Sequence, residues 1–179
     1  MEDKVIKAMD AACRWHEGQR YGEFPYVRHL AHVALVCAEF GFTDSDYIAA
    51  AWLHDSIEDA AVLRATLGRE FGDRVAALVS AVTDGKGRNR AERHEQSFTR
   101  MLEYPDAIIL KLADRIANVE SSIVSSNNLL RMYAKEYPEF RERLYAASLR
   151  IDGCRTRIAA MWSYLHELIP SDSEVVNTD

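Results

Sequence analysis

The run Ile108-Ile109-Leu110-Lys111-Leu112-Ala113-Asp114-Arg115-Ile116 is apolar on almost every side of a helix with a 3.6-residue period. Such a helix has no face to give to water, so other elements must surround it. Those elements read as helices too. No strand-like alternation is long enough to count, and the chain has no internal repeat or low-complexity segment. Helical spacing is legible over 3–17 (Val5, Ala8, Met9, Ala12, then Trp15 or His16) and over 26–40 (Leu30, Val33, Ala34, Cys37), with Gly18 and Gly41 as stops. Thr43-Asp44-Ser45-Asp46 supplies N-capping side chains for a third helix. Short helices follow over 60–71 and 73–83, then a glycine-broken loop from Asp84 to Arg90 and a polar helix over 91–102. The central helix is expected over 107–119, with a weakly patterned polar stretch at 121–128. Pro138 suits the first turn of a helix reaching about residue 149, and Ile158, Met161, Trp162 and Leu165 stripe the last one. The expectation is an all-α, single-domain helical bundle over 1–170, with 171–179 a polar, acidic, disordered tail.

With 179 residues the chain can bury a sizeable core without disulfides or a structural zinc. Cys13, Cys37 and Cys154 are odd in number, widely spaced and set in helical contexts, so they read as buried thiols of a reducing compartment. No apolar run approaches membrane-spanning length, and Met1-Glu2-Asp3-Lys4 does not begin a signal peptide. A cytoplasmic protein without a membrane partner is therefore expected. The net charge of −6 argues against a nucleic-acid binder, which would carry a basic footprint. Lys86, Arg88, Arg90 and Arg93 do gather within eight positions, either as a solvated face or as a local phosphate site.

Chemistry enters at Ala49-Ala50-Ala51-Trp52-Leu53-His54-Asp55-Ser56-Ile57-Glu58-Asp59, an apolar helix that ends in four ionisable residues within six positions. On one continuous helix His54 would stack over Glu58 and Asp55 over Asp59. One pair could hold a cation and the other could handle water and protons; a solvated helix end is the plain alternative. Asp114, inside the most apolar helix, must be paired or bind a cation, because a lone buried charge is too costly. The plain alternative there is an ion pair with Arg115 or another arginine. His29 lies beside the apolar stripe of the second helix, with His32 one turn on. Together His29, His54, Asp55 and Asp114 make a mixed nitrogen and oxygen set suited to one divalent transition ion. Glu58 and Asp59 are then placed as general base and acid, or as water-orienting groups.

These residues resemble a known pattern. His29, then His54-Asp55, then Asp114 is similar to the HD-domain metal phosphohydrolases, helical proteins named for the adjacent His-Asp pair. The runs Pro25-Tyr26-Val27-Arg28-His29, Ala50 to Asp59, Phe71-Gly72 with Val75, Val82-Thr83-Asp84, and Lys111-Leu112-Ala113-Asp114-Arg115 with Asn118 resemble the hydrolase domain of RelA/SpoT enzymes. They resemble still more the small stand-alone (p)ppGpp hydrolases called Mesh1-like. The resemblance covers about Arg14 to Ser122. It implies a bundle of the HD-domain type in which His29, His54, Asp55 and Asp114 hold a Mn²⁺ ion. It also implies that Glu58 and Asp59 act on the attacking water. Arg20 would stack on the guanine base, Asn118 would sit on the nucleotide, and Lys86 or its neighbours would meet the pyrophosphate. The reaction implied is removal of the 3′-pyrophosphate of (p)ppGpp to give GDP or GTP and pyrophosphate.

The chain departs from the family at Leu30, where Pro is usual, and at Tyr21, where many members have Lys. The loop from Arg20 to His29 is also slightly short. The last two departures fall on the base-recognition side. Two other functions fit the same residues: an HD-type phosphohydrolase for another nucleotide or phosphate ester, and a non-catalytic helical binding module.

Overall fold

The computed structural model describes residues 2–125 and 129–170. Its elements, in chain order, are α1 (Glu2–Trp15), β1 (Arg20–Tyr21), β2 (Phe24–Pro25), α2 (Val27–Glu39), α3 (Ser45–Leu53) and α4 (Ser56–Asp59). There follow α5 (Arg64–Phe71), α6 (Asp73–Val82), α7 (Arg90–Glu103), α8 (Ala107–Ser125), α9 (Leu129–Ser148) and α10 (Arg155–Leu168). The all-α expectation holds, and α8 is the central element, packed against α2, α3, α6, α9 and α10. Its side chains from Ala107 to Leu110 and from Leu112 to Ala117 are buried, Asp114 and Arg115 included. Helix α3 also packs against α1, α2 and α6. Ala49, Ala50 and Ala51 are fully buried there, because small side chains let the helix axes approach.

Local chemistry sets the boundaries. Asp44 caps α3 by accepting a hydrogen bond from the Asp46 amide at 3.0 Å, and Asn89 caps α7 through the Glu92 amide at 2.9 Å. Gly41 ends α2 at φ 79°, a left-handed conformation that costs glycine little.

The structure corrects several expectations. The third helix does not run through to Asp59. It stops at Leu53, because the Ser56 hydroxyl donates to the Leu53 carbonyl at 2.6 Å and His54 Nδ1 meets the Ala51 carbonyl at 2.8 Å. Side chains thus take carbonyls that a continuing helix would have used. Helix α8 runs on to Ser125, well past 119, with the Ser122 and Ser125 hydroxyls donating back to the carbonyls four residues earlier. Pro138 lies in the interior of α9, not in its first turn. It costs the bond its missing N–H would have made, and burial of Tyr133, Tyr137, Phe140 and Leu144 on the same helix outweighs that loss. Among the thiols only Cys37 is buried; Cys13 is exposed and Cys154 half-buried.

Two strands of two residues each, too short to show periodicity, form an antiparallel hairpin that pairs Arg20 with Pro25 and Tyr21 with Phe24. The acidic tail, 171–179, and the end of the polar stretch, 126–128, lie outside the described residues. No helix among those described is long and apolar enough to cross a membrane.

Candidate metal centre and its acidic rim

Helix α2 contributes His29, the turn after α3 contributes His54 and Asp55, and α8 contributes Asp114. Their side-chain atoms converge. His29 Nε2 lies 3.3 Å from His54 Nε2, 3.7 Å from Asp55 Oδ2 and 3.4 Å from Asp114 Oδ1. His54 Nε2 lies 2.9 Å from Asp55 Oδ2 and 3.7 Å from Asp114 Oδ1. His29, His54 and Asp55 each offer a ligand atom within 4.8 Å of the others, a grouping that could hold a metal ion, and Asp114 Oδ1 lies within 3.7 Å of both imidazoles.

The proton inventory fits as well. The Ala51 carbonyl can only accept, so His54 carries its proton on Nδ1 and turns the lone pair of Nε2 toward the cluster. Burial alone would lower the proton affinity of His54; the Asp55 and Asp114 carboxylates outweigh it and raise that affinity well above the ordinary value. A field that favours a proton at Nε2 equally favours a metal cation there. Burial would push Asp114 upward, but Lys111, with Nζ 3.4 Å from Asp114 Oδ2, and the two histidines hold its carboxyl well below the usual range. Asp55 is drawn down to about 2, against burial, chiefly by His54. Asp114 thus has Lys111 as its cationic partner; Arg115 turns instead to Glu136 at 2.9 Å.

A second layer holds these side chains in place. The Tyr26 hydroxyl donates to Asp55 Oδ2 at 2.5 Å. The Asn118 amide donates to Asp114 Oδ1 at 2.5 Å, and the Tyr21 hydroxyl donates to Asn118 Oδ1 at 2.6 Å. Tyr21 also stacks on the His29 ring, with centroids 4.8 Å apart and planes 9° apart. His29 Nδ1 has no hydrogen-bond partner among the described residues, so this ring contact fixes the imidazole where a second hydrogen bond usually would. His32 faces elsewhere, 2.8 Å from Glu120, which also accepts from the Tyr164 hydroxyl.

Glu58 and Asp59 stand exposed on the single turn of α4, which follows directly on His54-Asp55. Glu58 Oε2 accepts from the Asp84 amide at 3.1 Å. Partial desolvation of its carboxyl and the nearby Asp84 charge shift Glu58 upward, toward a better proton acceptor. Asp84 is itself anchored, 3.2 Å from His94 Nε2 and 2.9 Å from the Ser97 hydroxyl. Asp59 Oδ2 accepts from the Gln19 amide at 2.8 Å.

The nominated substrate contacts are dispersed. Arg20 is exposed, its guanidinium donating to the Glu23 carbonyl across the hairpin turn. Lys86 is exposed in the 83–89 loop, which is tied to α7 where the Gln96 amide donates to the Lys86 carbonyl at 2.8 Å. Gly85 has no room for a side chain against Gln96, so this loop lies tight on α7. Asn118 alone of the three reaches the His29, His54, Asp55 and Asp114 cluster, and both ends of its amide are engaged there. Lys111, His94, Gln19 and Tyr26 also support the site, although the sequence alone assigns them no role. Lys111 carries a signal, a cation in the apolar helix one turn before Asp114, and Tyr26 stands in a run shared with the family; His94 and Gln19 carry none.

The HD domain family model matches residues 8–147. The chain is 37% identical over 142 residues to a guanosine-3′,5′-bis(diphosphate) 3′-pyrophosphohydrolase of Aquifex aeolicus (strain VF5), a match that covers 76% of this chain and 20% of that protein. It spans 14% of the Streptomyces coelicolor GTP pyrophosphokinase that it also resembles, so it matches only a small part of these longer relatives. Against the guanosine-3′,5′-bis(diphosphate) 3′-pyrophosphohydrolase MESH1 of Danio rerio it is 33% identical over 120 residues, 64% of this chain and 67% of that one. A solved structure described as "A metazoan ortholog of SpoT hydrolyzes ppGpp and plays a role in starvation responses" superposes with a TM-score of 0.67 at 24% identity. That match covers 89% of this chain and 94% of the other, and it establishes a shared fold.

Proposed function

Because this chain belongs to the HD domain family, we propose that it is a metal-dependent hydrolase that removes the 3′-pyrophosphate of (p)ppGpp, giving GDP or GTP and pyrophosphate. The observation that carries the reading is the convergence of two imidazole nitrogens and two carboxylate oxygens from three parts of the bundle, with two exposed carboxylates one turn away. The 33–37% identity to proteins named for this reaction supports the substrate. His29, His54, Asp55 and Asp114 would hold one divalent transition ion, Mn²⁺ in this proposal. Such an ion, when bound, lowers the pKa of a coordinated water and neutralises charge on the phosphoryl oxygens.

The chain's own groups do the remaining work. Glu58 takes a proton from the attacking water as its oxygen adds to the phosphorus next to the 3′ oxygen. Asp59 orients that water. The P–O3′ bond breaks, and the proton held by Glu58 returns to the departing 3′ oxygen, which balances the reaction. Lys111 keeps Asp114 ionised throughout. Arg20, Lys86 and Asn118 are proposed as the contacts to base, pyrophosphate and nucleotide. The domain proposed to carry this chemistry spans 1–170.

One observation favours a second reading, the same metal chemistry on a different nucleotide or phosphate ester. Tyr21 occupies the hairpin position beside His29 and engages the Asn118 carbonyl, so a neutral ring stands where many family members have a lysine. Product analysis after incubation of the Mn²⁺-loaded protein with ppGpp separates the two. GDP and pyrophosphate, formed by the intact protein but not by a chelated sample or by a Glu58→Gln, Asp59→Asn variant, are the expected products. Intact ppGpp alongside turnover of another phosphate ester would retain the metal chemistry and reject the guanine substrate.

A further inference from the structure

Asp59 is held through a chain of contacts that begins at a buried histidine outside the metal centre. His16 lies at the end of α1, 2% exposed, and its Nδ1 is 2.7 Å from Gln19 Oε1. Gln19 Nε2 is 2.8 Å from Asp59 Oδ2. The direction of each bond follows from chemistry alone. An ionised carboxylate only accepts, so the amide of Gln19 must present its NH₂ to Asp59 and its carbonyl to His16. His16 must then carry its proton on Nδ1. Its Nε2, buried, has no hydrogen-bond partner among the described residues.

The backbone around this chain is also pinned. The Gln19 N–H donates to the His16 carbonyl at 3.0 Å, and the Gln19 carbonyl accepts from the Tyr26 N–H at 3.0 Å. Tyr26 stacks on His16, with centroids 5.1 Å apart and planes 18° apart, while its hydroxyl holds Asp55. One aromatic pair therefore braces both a metal ligand and the support of an acidic rim residue.

We propose that His16 and Gln19 form a positioning relay for Asp59, in which the Nδ1–H of His16 fixes the orientation of the Gln19 amide and that amide fixes the carboxylate. The proposal rests on the reading of Asp59 as a water-handling residue. Without the relay an exposed carboxylate samples several rotamers and holds a water-handling orientation only part of the time. His16 and Gln19 touch neither the ligands nor any reacting atom. Loss of the relay's hydrogen bonds with the ring on Tyr26 retained is therefore expected to lower kcat while metal content and KM stay at wild-type values.

The test uses the full chain loaded with Mn²⁺, ppGpp as the substrate, and a matched set of variants. His16→Phe keeps the ring and loses the donor; His16→Asn loses the ring but places an amide N–H near the position of Nδ1. Gln19→Met keeps the length of the side chain and loses both polar ends. His16→Phe and Gln19→Met are expected to lower kcat by about ten- to a hundred-fold, the range for outer-layer supports of a metal site, and His16→Asn to recover most of the loss. A packing role would invert the order, with His16→Phe active and His16→Asn impaired, and would overturn the relay. Full activity in Gln19→Met beside an inactive Asp59→Asn would also overturn it while keeping the role of Asp59. An active Asp59→Asn would instead remove the premise. A readout independent of turnover is the imidazole tautomer of His16 by ¹⁵N NMR of the unloaded protein. The Nδ1-protonated form is expected in the wild type, with a changed signal in Gln19→Met; an Nε2-protonated His16 would reject the relay whatever the substrate.

Discussion

The donor atoms of His29, His54, Asp55 and Asp114 come from α2, α8 and the end of α3, elements enclosed by the core, whereas Arg20 and Lys86 stand exposed on a two-residue hairpin and on the 83–89 loop. The first group is over-determined. Each carboxylate has a hydrogen-bond donor of its own, Tyr26 for Asp55 and Asn118 for Asp114, and each imidazole is fixed by a carbonyl or a stacked ring. In the second group Lys86 is held through its backbone carbonyl, while the Arg20 guanidinium rests on the Glu23 carbonyl at the surface. Under the proposed function, the chemistry would fall to the enclosed part of the molecule and the contacts to substrate to the exposed part.

That contrast can be broken most decisively at the ligands. His54→Ala or Asp114→Ala is expected to abolish stoichiometric metal binding and reduce hydrolysis to background, read by elemental analysis beside a product assay. Retained metal in either variant would show that the cluster is not the centre. Glu58→Gln should lower kcat by about 10²- to 10⁴-fold with metal content unchanged, because it removes proton transfer and leaves the donor set intact. A parallel fall in metal would move Glu58 from the rim into the ligand set. Tyr21→Phe keeps the stack on His29 and removes the hydroxyl from Asn118, so a loss of about tenfold or less in metal affinity is expected, measured by competition with a chelating dye.

Asp84 sharpens the comparison through pH, because it joins the loop to the rim. Burial alone would raise its carboxyl, but His94, Lys111 and Ser97 outweigh burial and hold it far below the usual range. A depressed native value means that this contribution to stability is complete above the unfolded value of about 4 and drains away as pH falls below it. Urea midpoints should therefore drop in acid for the wild type, and less steeply for Asp84→Asn. Equal slopes between about pH 4 and pH 2 would remove Asp84 as an anchor of the loop. The smallest effect is expected at Lys86→Ala, a rise of roughly two- to five-fold in KM that fades as salt is added, in keeping with one exposed charge. A large change in kcat there would place the loop with the part proposed to carry the chemistry.

Much of this was legible in the chain because it consists of exceptions to local rules. Asp114 in an apolar helix and His54-Asp55 at the end of an alanine-rich one are charges where the period calls for hydrocarbon. Burial makes such residues expensive, so their presence implies a partner. The break at His54-Asp55 was not legible, since it depends on the Ser56 hydroxyl and the His54 ring taking carbonyls that a helix pattern assigns to its own backbone. Pro138 misled for a related reason: propensity places proline at a helix start, and the buried side chains of α9 overrode it. Arg115 was a plausible partner for Asp114 by adjacency, yet neighbours in sequence point to different sides of a helix, and Lys111, one turn earlier, meets Asp114 instead.

The sequence by itself determined the all-α class, the central place of α8 and which residues are proposed to hold a cation, because periodicity and the cost of burying charge act along the chain. Only the tertiary structure decided which groups hold those residues in place. Tyr21 reaches Asn118 across 97 positions, Gln19 reaches Asp59 across 40, and Tyr26 reaches Asp55 across 29. A hydrogen bond forms over about 3 Å of space whatever the separation along the chain, so no spacing rule could have paired them before the helices packed.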